Sequence, residues 1–142
     1  MYKQTAAALE NAQRIVITAH INPDGDAIGS ALGLYHALTS LGKEVRVVMP
    51  TPVPSTMAWM PGMHAVEVFS TDPTITLGSA DTIVVLDLNS VARLKDFGVL
   101  ITSTRASSLD ARASSLDAHG AAGIRIITVS YTHLTLPTNR EV

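Results

Sequence analysis

Residues 15–30 carry the sequence Ile-Val-Ile-Thr-Ala-His-Ile-Asn-Pro-Asp-Gly-Asp-Ala-Ile-Gly-Ser. The β-branched run at 15–19 predicts a buried strand, and the residues from Asp26 onward predict a helix. His20 and Asp24 then lie in the turn between the two elements. Because open α/β sheets bind their ligands at this carboxyl edge of the strands, the stretch predicts both an α/β fold and the position of its site.

The ionisable side chains of this turn, His20, Asp24 and Asp26, are suited to a metal ion. Carboxylates placed this close repel one another unless a proton or a cation neutralises them. Imidazole together with carboxylate oxygens suits Mn²⁺, Mg²⁺ or Zn²⁺. The competing interpretation is a polar turn in which Asp26 only caps the helix and His20 makes a local hydrogen bond. The spacing alone leaves both interpretations open.

The rest of the chain alternates predicted strands and helices. We predict strands at 15–19, 44–49, 65–69, 82–86 and 124–129, and helices at 5–13 and 26–41, the second ended by Gly42. Such alternation implies right-handed βαβ units. The expected fold is therefore α/β, a truncated parallel (Rossmann-like) sheet with helices on both faces.

The composition fits one globular domain, since 142 residues with 46% hydrophobic and 15% charged side chains can bury a substantial core. A net charge of −2 gives no general attraction to nucleic acid, so duplex DNA is not an expected partner. The chain has no cysteine, which excludes disulfides and thiolate zinc sites. It has neither an apolar run of about 18 residues nor a signal-peptide pattern, so we expect no membrane partner and a cytoplasmic location.

A second motif adds Asp87, which follows the apolar run at 82–86 and precedes an Arg-Leu pair at 93–94. Together with the His-x3-Asp-x-Asp pattern at 20–26, it resembles the first two motifs of the DHH family of phosphoesterases. The residues around the first motif are similar to those of the family branch that combines oligoribonuclease and 3′-phosphoadenosine 5′-phosphate (pAp) phosphatase activity. These motifs carry the resemblance over residues 5–101.

The resemblance implies a phosphoesterase whose active site contains two Mn²⁺ ions, with Mg²⁺ as the alternative. The implied catalytic and metal-binding residues are His20, Asp24, Asp26 and Asp87. Two ions about 3.5–4 Å apart would share a hydroxide that attacks phosphorus in line. The implied partners are a nucleotide or short single-stranded RNA, and a homo-oligomer is compatible with the sequence.

Weaker candidates for substrate binding lie in and near the same motifs. Gly29 and Ser30 lie in the first turn of the predicted helix, where unpaired amides favour phosphate, and the guanidinium of Arg93 can also bind phosphate. Asn22 could orient substrate, although hydrogen bonding within the turn is its more frequent role. We also expect Gly25 to permit the close turn between strand and helix.

Each of these residues also has a structural interpretation: Asp87 can cap a strand end, and Arg93 can be an exposed surface charge. A calcium-binding loop does not fit, because Ala27 stands where glycine is required and Gly33 where a bidentate glutamate belongs. A haloacid-dehalogenase-like phosphatase does not fit either, since Asn89 replaces its second aspartate. A non-catalytic metal- or nucleotide-binding α/β module stays open as the alternative.

The later part of the sequence departs from the family pattern. Neither the Asp-His-His triplet nor the Gly-Gly-His motif occurs, and residues 105–111 are repeated identically at 112–118. We therefore expect 1–129 to be a partial catalytic domain with motifs I and II only, and 130–142 to be a non-native tail. Residues 102–123 should form no shared core, with the duplication as a loop or a frayed helix, and the chain should be weakly active or inactive.

Overall fold

The computed structural model describes residues 2–88, 90–106 and 124–129. The strands in this part are β1 (Arg14–Thr18), β2 (Glu44–Met49), β3 (Val66–Val68), β4 (Thr82–Leu86) and β5 (Arg125–Val129). The helices are α1 (Tyr2–Asn11), α2 (Gly25–Ser40), α3 (Pro73–Thr76) and α4 (Asp96–Ala106), with 3-10 turns at Ser55–Met57, Met63–Ala65 and Val91–Leu94. Among the described residues, no helix combines the length and hydropathy that crossing a bilayer requires.

The five strands form one parallel sheet in the order β3-β2-β1-β4-β5. Alternate residues of each strand point to opposite faces, so the sheet separates two clusters of buried side chains. One cluster joins Ile17, Val47 and Val84 to the apolar stripe of α2, and the other joins Val16, Val48, Ile83 and Val85 to α4. The predicted parallel α/β fold with helices on both faces is confirmed.

Several predicted element bounds need correction. The first helix runs over Tyr2–Asn11 rather than 5–13, and the first strand begins at Arg14, one residue earlier than predicted. The long helix begins at Gly25, and Gly42, with φ +78°, follows its end as predicted. The sequence analysis did not predict α3 and α4. Of the segment 102–123 that was expected to be a loop or frayed helix, residues 102–106 belong to α4. The rest of that segment and the tail at 130–142 lie outside the described residues.

Strand register positions the ends of β1 and β4 side by side. Thr18 of β1 pairs with Val85 of β4. His20 and Asp87 each follow this pair by two residues. Because both strands run in the same direction, the two side chains emerge at the same edge of the sheet, next to the start of α2.

Phe97 anchors α4 to its face of the sheet. Its side chain is fully buried and stacks on Phe69 with ring centroids 5.1 Å apart. We expect Phe97→Ala to lower the free energy of unfolding by about 3–5 kcal/mol, because it leaves a cavity in a packed cluster. Val99→Ala, at an exposed position of the same helix, should change it by less than about 0.5 kcal/mol. Urea denaturation would measure both, and equal midpoints for the two variants would show that α4 does not belong to the cooperative core.

Candidate metal centre

His20 presents one ring nitrogen to the carboxyl edge of the sheet. Its side chain is only 3% exposed, and Nδ1 lies 2.7 Å from the carbonyl oxygen of Ile21. A carbonyl oxygen can only accept a hydrogen bond, so Nδ1 carries the proton and donates it. In the neutral ring, Nε2 is left with a free lone pair, which is the state that a metal ligand requires.

Asp24 serves the helix and the site with different oxygens. It is the N-cap of α2, where Oδ1 accepts a hydrogen bond from the amide of Ala27 at 3.0 Å. Its Oδ2 lies 3.9 Å from His20 Nε2, and the side chain is 64% exposed. The hydrogen bond from Ala27 is the main cause that holds the pKa of Asp24 below its ordinary value of 3.8. Asp24 is therefore an anion at neutral pH.

Asp87 reaches the same point from the neighbouring strand. It follows β4 directly, and its backbone is in the left-handed region with φ +50°. Its Oδ2 lies 3.4 Å from His20 Nε2, and the side chain is 25% exposed. The left-handed region costs most residues roughly 1–2 kcal/mol but is better tolerated by Asp and Asn.

The ligand atoms of His20, Asp24 and Asp87 all lie within 4.8 Å of one another. A lone pair and two carboxylates converge, and with Nδ1 carrying the ring proton none of them has a hydrogen to donate. Atoms bound to one ion at about 2.1 Å would lie roughly 3.0–3.5 Å apart. The His20–Asp87 distance of 3.4 Å falls in this range, and the His20–Asp24 distance of 3.9 Å is slightly longer. A direct hydrogen bond from a protonated ring would be shorter. The donor set therefore fits a divalent cation such as Mn²⁺, Mg²⁺ or Zn²⁺.

Asp26 lies apart from this group. It is exposed in the first turn of α2, and the group that the described residues form contains His20, Asp24 and Asp87 without it. The capping role that the polar-turn interpretation assigned to Asp26 belongs to Asp24, because the cap must precede the first helical residue, which is Gly25. A ligand role for Asp26 stays a prediction.

The turn after β1 obtains its left-handed residue from Asn22 instead of Gly25. Asn22 has φ +49°, and its backbone N–H donates a hydrogen bond to Thr51 Oγ1 at 2.8 Å. Gly25 does not have a positive φ, and a Cβ there would meet nothing within 4 Å. The expectation that Gly25 permits the close turn is wrong in its position, because the left-handed residue of the turn is Asn22, three residues earlier.

The two motifs are joined through the backbone. The amide of Ile21 donates to the carbonyl of Arg93 at 2.8 Å, so the loop after β4 is fastened to the loop after β1. The side chain of Arg93 is half-buried, and its charge contributes to the lowered pKa of Asp24. Ser30 is also half-buried, in the second turn of α2. Substrate binding by Arg93, Ser30 and Asn22 stays a prediction.

Sequence reasoning missed two residues that shape the site. Ile21 orients the His20 ring through its carbonyl group, and Thr51 fixes the amide of Asn22. Thr51 could have been found, because it comes soon after β2 and parallel strands end at one edge of the sheet. The role of Ile21 has no signal in the residue type, since every residue offers the same backbone groups.

The comparison with protein families matches residues 14–130 to the DHH family, N-terminal domain. This match continues past residue 101, where the motif resemblance ends. It includes both motifs and all five strands.

Two individual proteins are similar to parts of the chain. The bifunctional oligoribonuclease and PAP phosphatase NrnA of Thermus thermophilus is 60% identical over 38 residues, which is 27% of this chain and 12% of that protein. A crystal structure of an exopolyphosphatase-related protein from Bacteroides fragilis has a TM-score of 0.71 and 30% identity, covering 91% of this chain and 34% of that one. This chain thus spans about a third or less of either relative. With the family match extending over most of its length, the chain belongs to the DHH family.

Proposed function

We propose that this chain is part of a metal-dependent phosphoesterase that hydrolyses short oligoribonucleotides or pAp. The observation that carries the proposal is the convergence of His20 Nε2 with the carboxylates of Asp24 and Asp87 at the carboxyl edge of a parallel sheet. Membership of the DHH family and the similarity to an oligoribonuclease and PAP phosphatase support the same reaction class.

His20, Asp24 and Asp87 would hold the cation, with Mn²⁺ preferred and Mg²⁺ as the alternative. When bound, a divalent ion lowers the pKa of a water ligand and neutralises negative charge on the phosphoryl oxygens. His20 would contribute the lone pair of Nε2, because its Nδ1–H donates to the carbonyl oxygen of Ile21. Asp24 contributes an anion whose second oxygen stays bonded to the helix. Arg93 can donate two hydrogen bonds to a phosphate beside Asp24.

A second ion would need further ligands, and we propose Asp26 as one of them. It lies in the first turn of α2, two residues after the N-cap Asp24. Because the described residues bring three ligand groups together without Asp26, we expect weak metal binding and slow turnover. An ion misplaced by about 1 Å can cost roughly a hundredfold in rate.

Nucleotides and short single-stranded RNA are the proposed substrates. The net charge of −2 offers no extended basic surface, so the cation and a few nearby groups must hold the phosphate. The same argument disfavours duplex DNA, whose binding depends on many phosphate contacts. The exopolyphosphatase-related relative makes inorganic polyphosphate the substrate class to compare.

Incubation of the 142-residue chain with Mn²⁺ and each of pAp, a dinucleotide and tripolyphosphate tests this function. We expect slow hydrolysis that a chelator abolishes, with the nucleotides cleaved faster than tripolyphosphate. Turnover that is insensitive to chelator and to Asp87→Asn would contradict it. If Mn²⁺ binds at His20 and no substrate is cleaved, the alternative of a non-catalytic metal- or nucleotide-binding module is favoured. A site with only the three ligand residues His20, Asp24 and Asp87 makes this outcome worth testing.

A further inference from the structure

Trp59 is a large aromatic side chain that the core does not use. It lies in the loop between β2 and β3 and is 78% exposed. Its neighbours Met57, Met60 and Met63 are partly buried against the α2 side of the core. The loop is therefore fixed by methionines, and its tryptophan is left accessible.

The loop that carries Trp59 makes contacts with two positions of the first motif, Asn22 and Gly29. At its start, Thr51 Oγ1 accepts a hydrogen bond from Asn22 N at 2.8 Å. Near its other end, Met60 Cε lies 3.8 Å from the position that a Cβ of Gly29 would occupy. The contacts at residues 22 and 29 lie on either side of Asp24 in the sequence, so the segment from Thr51 to Met60 is attached at both ends to the first motif.

Trp59 is tied to the first part of α2 through the residue that follows it. Pro61 accepts a hydrogen bond from His36 Nε2 at 3.0 Å, and the Cε atom of Met60 lies beside Gly29. Trp59 directly precedes Met60, and Gly29 lies five residues after Asp24, the N-cap of α2.

We propose that Trp59 is the surface on which the base of a nucleotide substrate stacks while its phosphate faces His20, Asp24 and Asp87. This inference rests on the proposed function and adds the feature that selects a nucleotide over a phosphate without a base. Stacking on an aromatic side chain stabilises a bound base and tolerates any base, because every base has a π-face. A chain of net charge −2 gains from such an uncharged contact, because it cannot rely on a basic groove.

Trp59 is the only tryptophan of the 142 residues, so its fluorescence reports on this position alone. The test titrates the chain with AMP and with ribose 5-phosphate, which differ by the base, in Mg²⁺ because Mn²⁺ itself quenches indole. We expect saturable quenching by AMP and none by ribose 5-phosphate. Absence of AMP quenching would overturn the proposal.

Two variants measure the contribution of the ring. By calorimetry, Trp59→Ala should weaken AMP binding roughly 5- to 150-fold and leave ribose 5-phosphate binding unchanged. Trp59→Phe, which keeps an aromatic face, should retain most of the AMP affinity. Equal AMP affinity in the wild-type chain and Trp59→Ala would overturn the proposal, as would equal losses for both ligands.

The stacking proposal and the proposed function fail in different ways. If pAp is hydrolysed in a chelator-sensitive reaction with the same KM in wild type and Trp59→Ala, the stacking proposal is contradicted and the phosphoesterase proposal is supported. If the fluorescence of Trp59 is quenched only by ligands with a base, and pAp, dinucleotide and tripolyphosphate are not hydrolysed, the stacking proposal is supported and the phosphoesterase proposal is contradicted.

Discussion

Asp87→Asn should lower the affinity of the chain for Mn²⁺ by roughly 10- to 100-fold or more, judged from the losses that changes around metal ligands produce. Asparagine keeps the size of the side chain and tolerates the left-handed backbone at φ +50°, but it removes the anionic oxygen that lies 3.4 Å from His20 Nε2. The free energy of unfolding should therefore stay within about 0.5 kcal/mol of the wild-type value. Calorimetric titration and urea denaturation measure the two effects separately.

Two comparison variants sharpen this prediction. Glu10→Gln removes an exposed carboxylate of α1, outside the candidate metal centre, and should leave Mn²⁺ binding unchanged. Asp87→Ala should lose both metal affinity and about 1 kcal/mol of stability, because alanine is less tolerant of the left-handed region. Mn²⁺ affinity that is equal in Asp87→Asn and Glu10→Gln would show that Asp87 is not a ligand.

Asp24→Asn should separate the two roles of Asp24. Asparagine caps a helix about as well as aspartate, so the hydrogen bond to the amide of Ala27 and the stability of α2 should persist. The affinity for Mn²⁺ should fall about tenfold or more, because a neutral amide replaces an anionic ligand. Asp24→Ala should lose that affinity and in addition about 1 kcal/mol of folding stability. If Asp24→Asn binds Mn²⁺ as tightly as the wild type, Asp24 is only a cap.

Asp24→Asn should also differ from the wild type in how its folding stability depends on acidic pH. The hydrogen bond from Ala27 lowers the pKa of Asp24 in the folded chain, so its stabilising effect is present above the ordinary pKa of 3.8. It is lost as the pH falls from that value through the lowered pKa. Asp24→Asn has no proton to take up there, so its acid unfolding should lose this dependence. Since the side chain is 64% exposed, solvent screening keeps the effect small.

Some strands could be predicted to their observed bounds. β2 and β4 match the predicted 44–49 and 82–86 because their β-branched runs are bounded by polar residues, glycine or proline. α3 has only four residues and was missed, although Asp72 caps it and Pro73 stands at its start. α4 was missed because Gly98 and its two threonines, Thr102 and Thr104, weaken its helical pattern.

The site was predictable to the level of residue types and not of geometry. The metal chemistry of His20 and Asp24 follows from their residue types in the turn after a strand, whereas Asp87 was implied only by the family resemblance. The convergence of the three side chains depends on β1 and β4 being neighbours. That neighbour relation comes from the strand order, which periodicity does not encode. The choice between Asp24 and Asp26 as the helix cap is set by the backbone of one turn, and two aspartates spaced by one residue give no means of telling them apart.

The histidine ring signals in the NMR spectrum of the chain, titrated with Mn²⁺, test the metal centre most directly. The chain has five histidines, and comparison with His20→Asn assigns the signals of His20. If Mn²⁺ binds between His20, Asp24 and Asp87, the ring signals of His20 should broaden before those of the other histidines. In Asp87→Asn, the same broadening should require a higher Mn²⁺ concentration. Broadening of another ring, such as that of His36, before His20 would contradict the account.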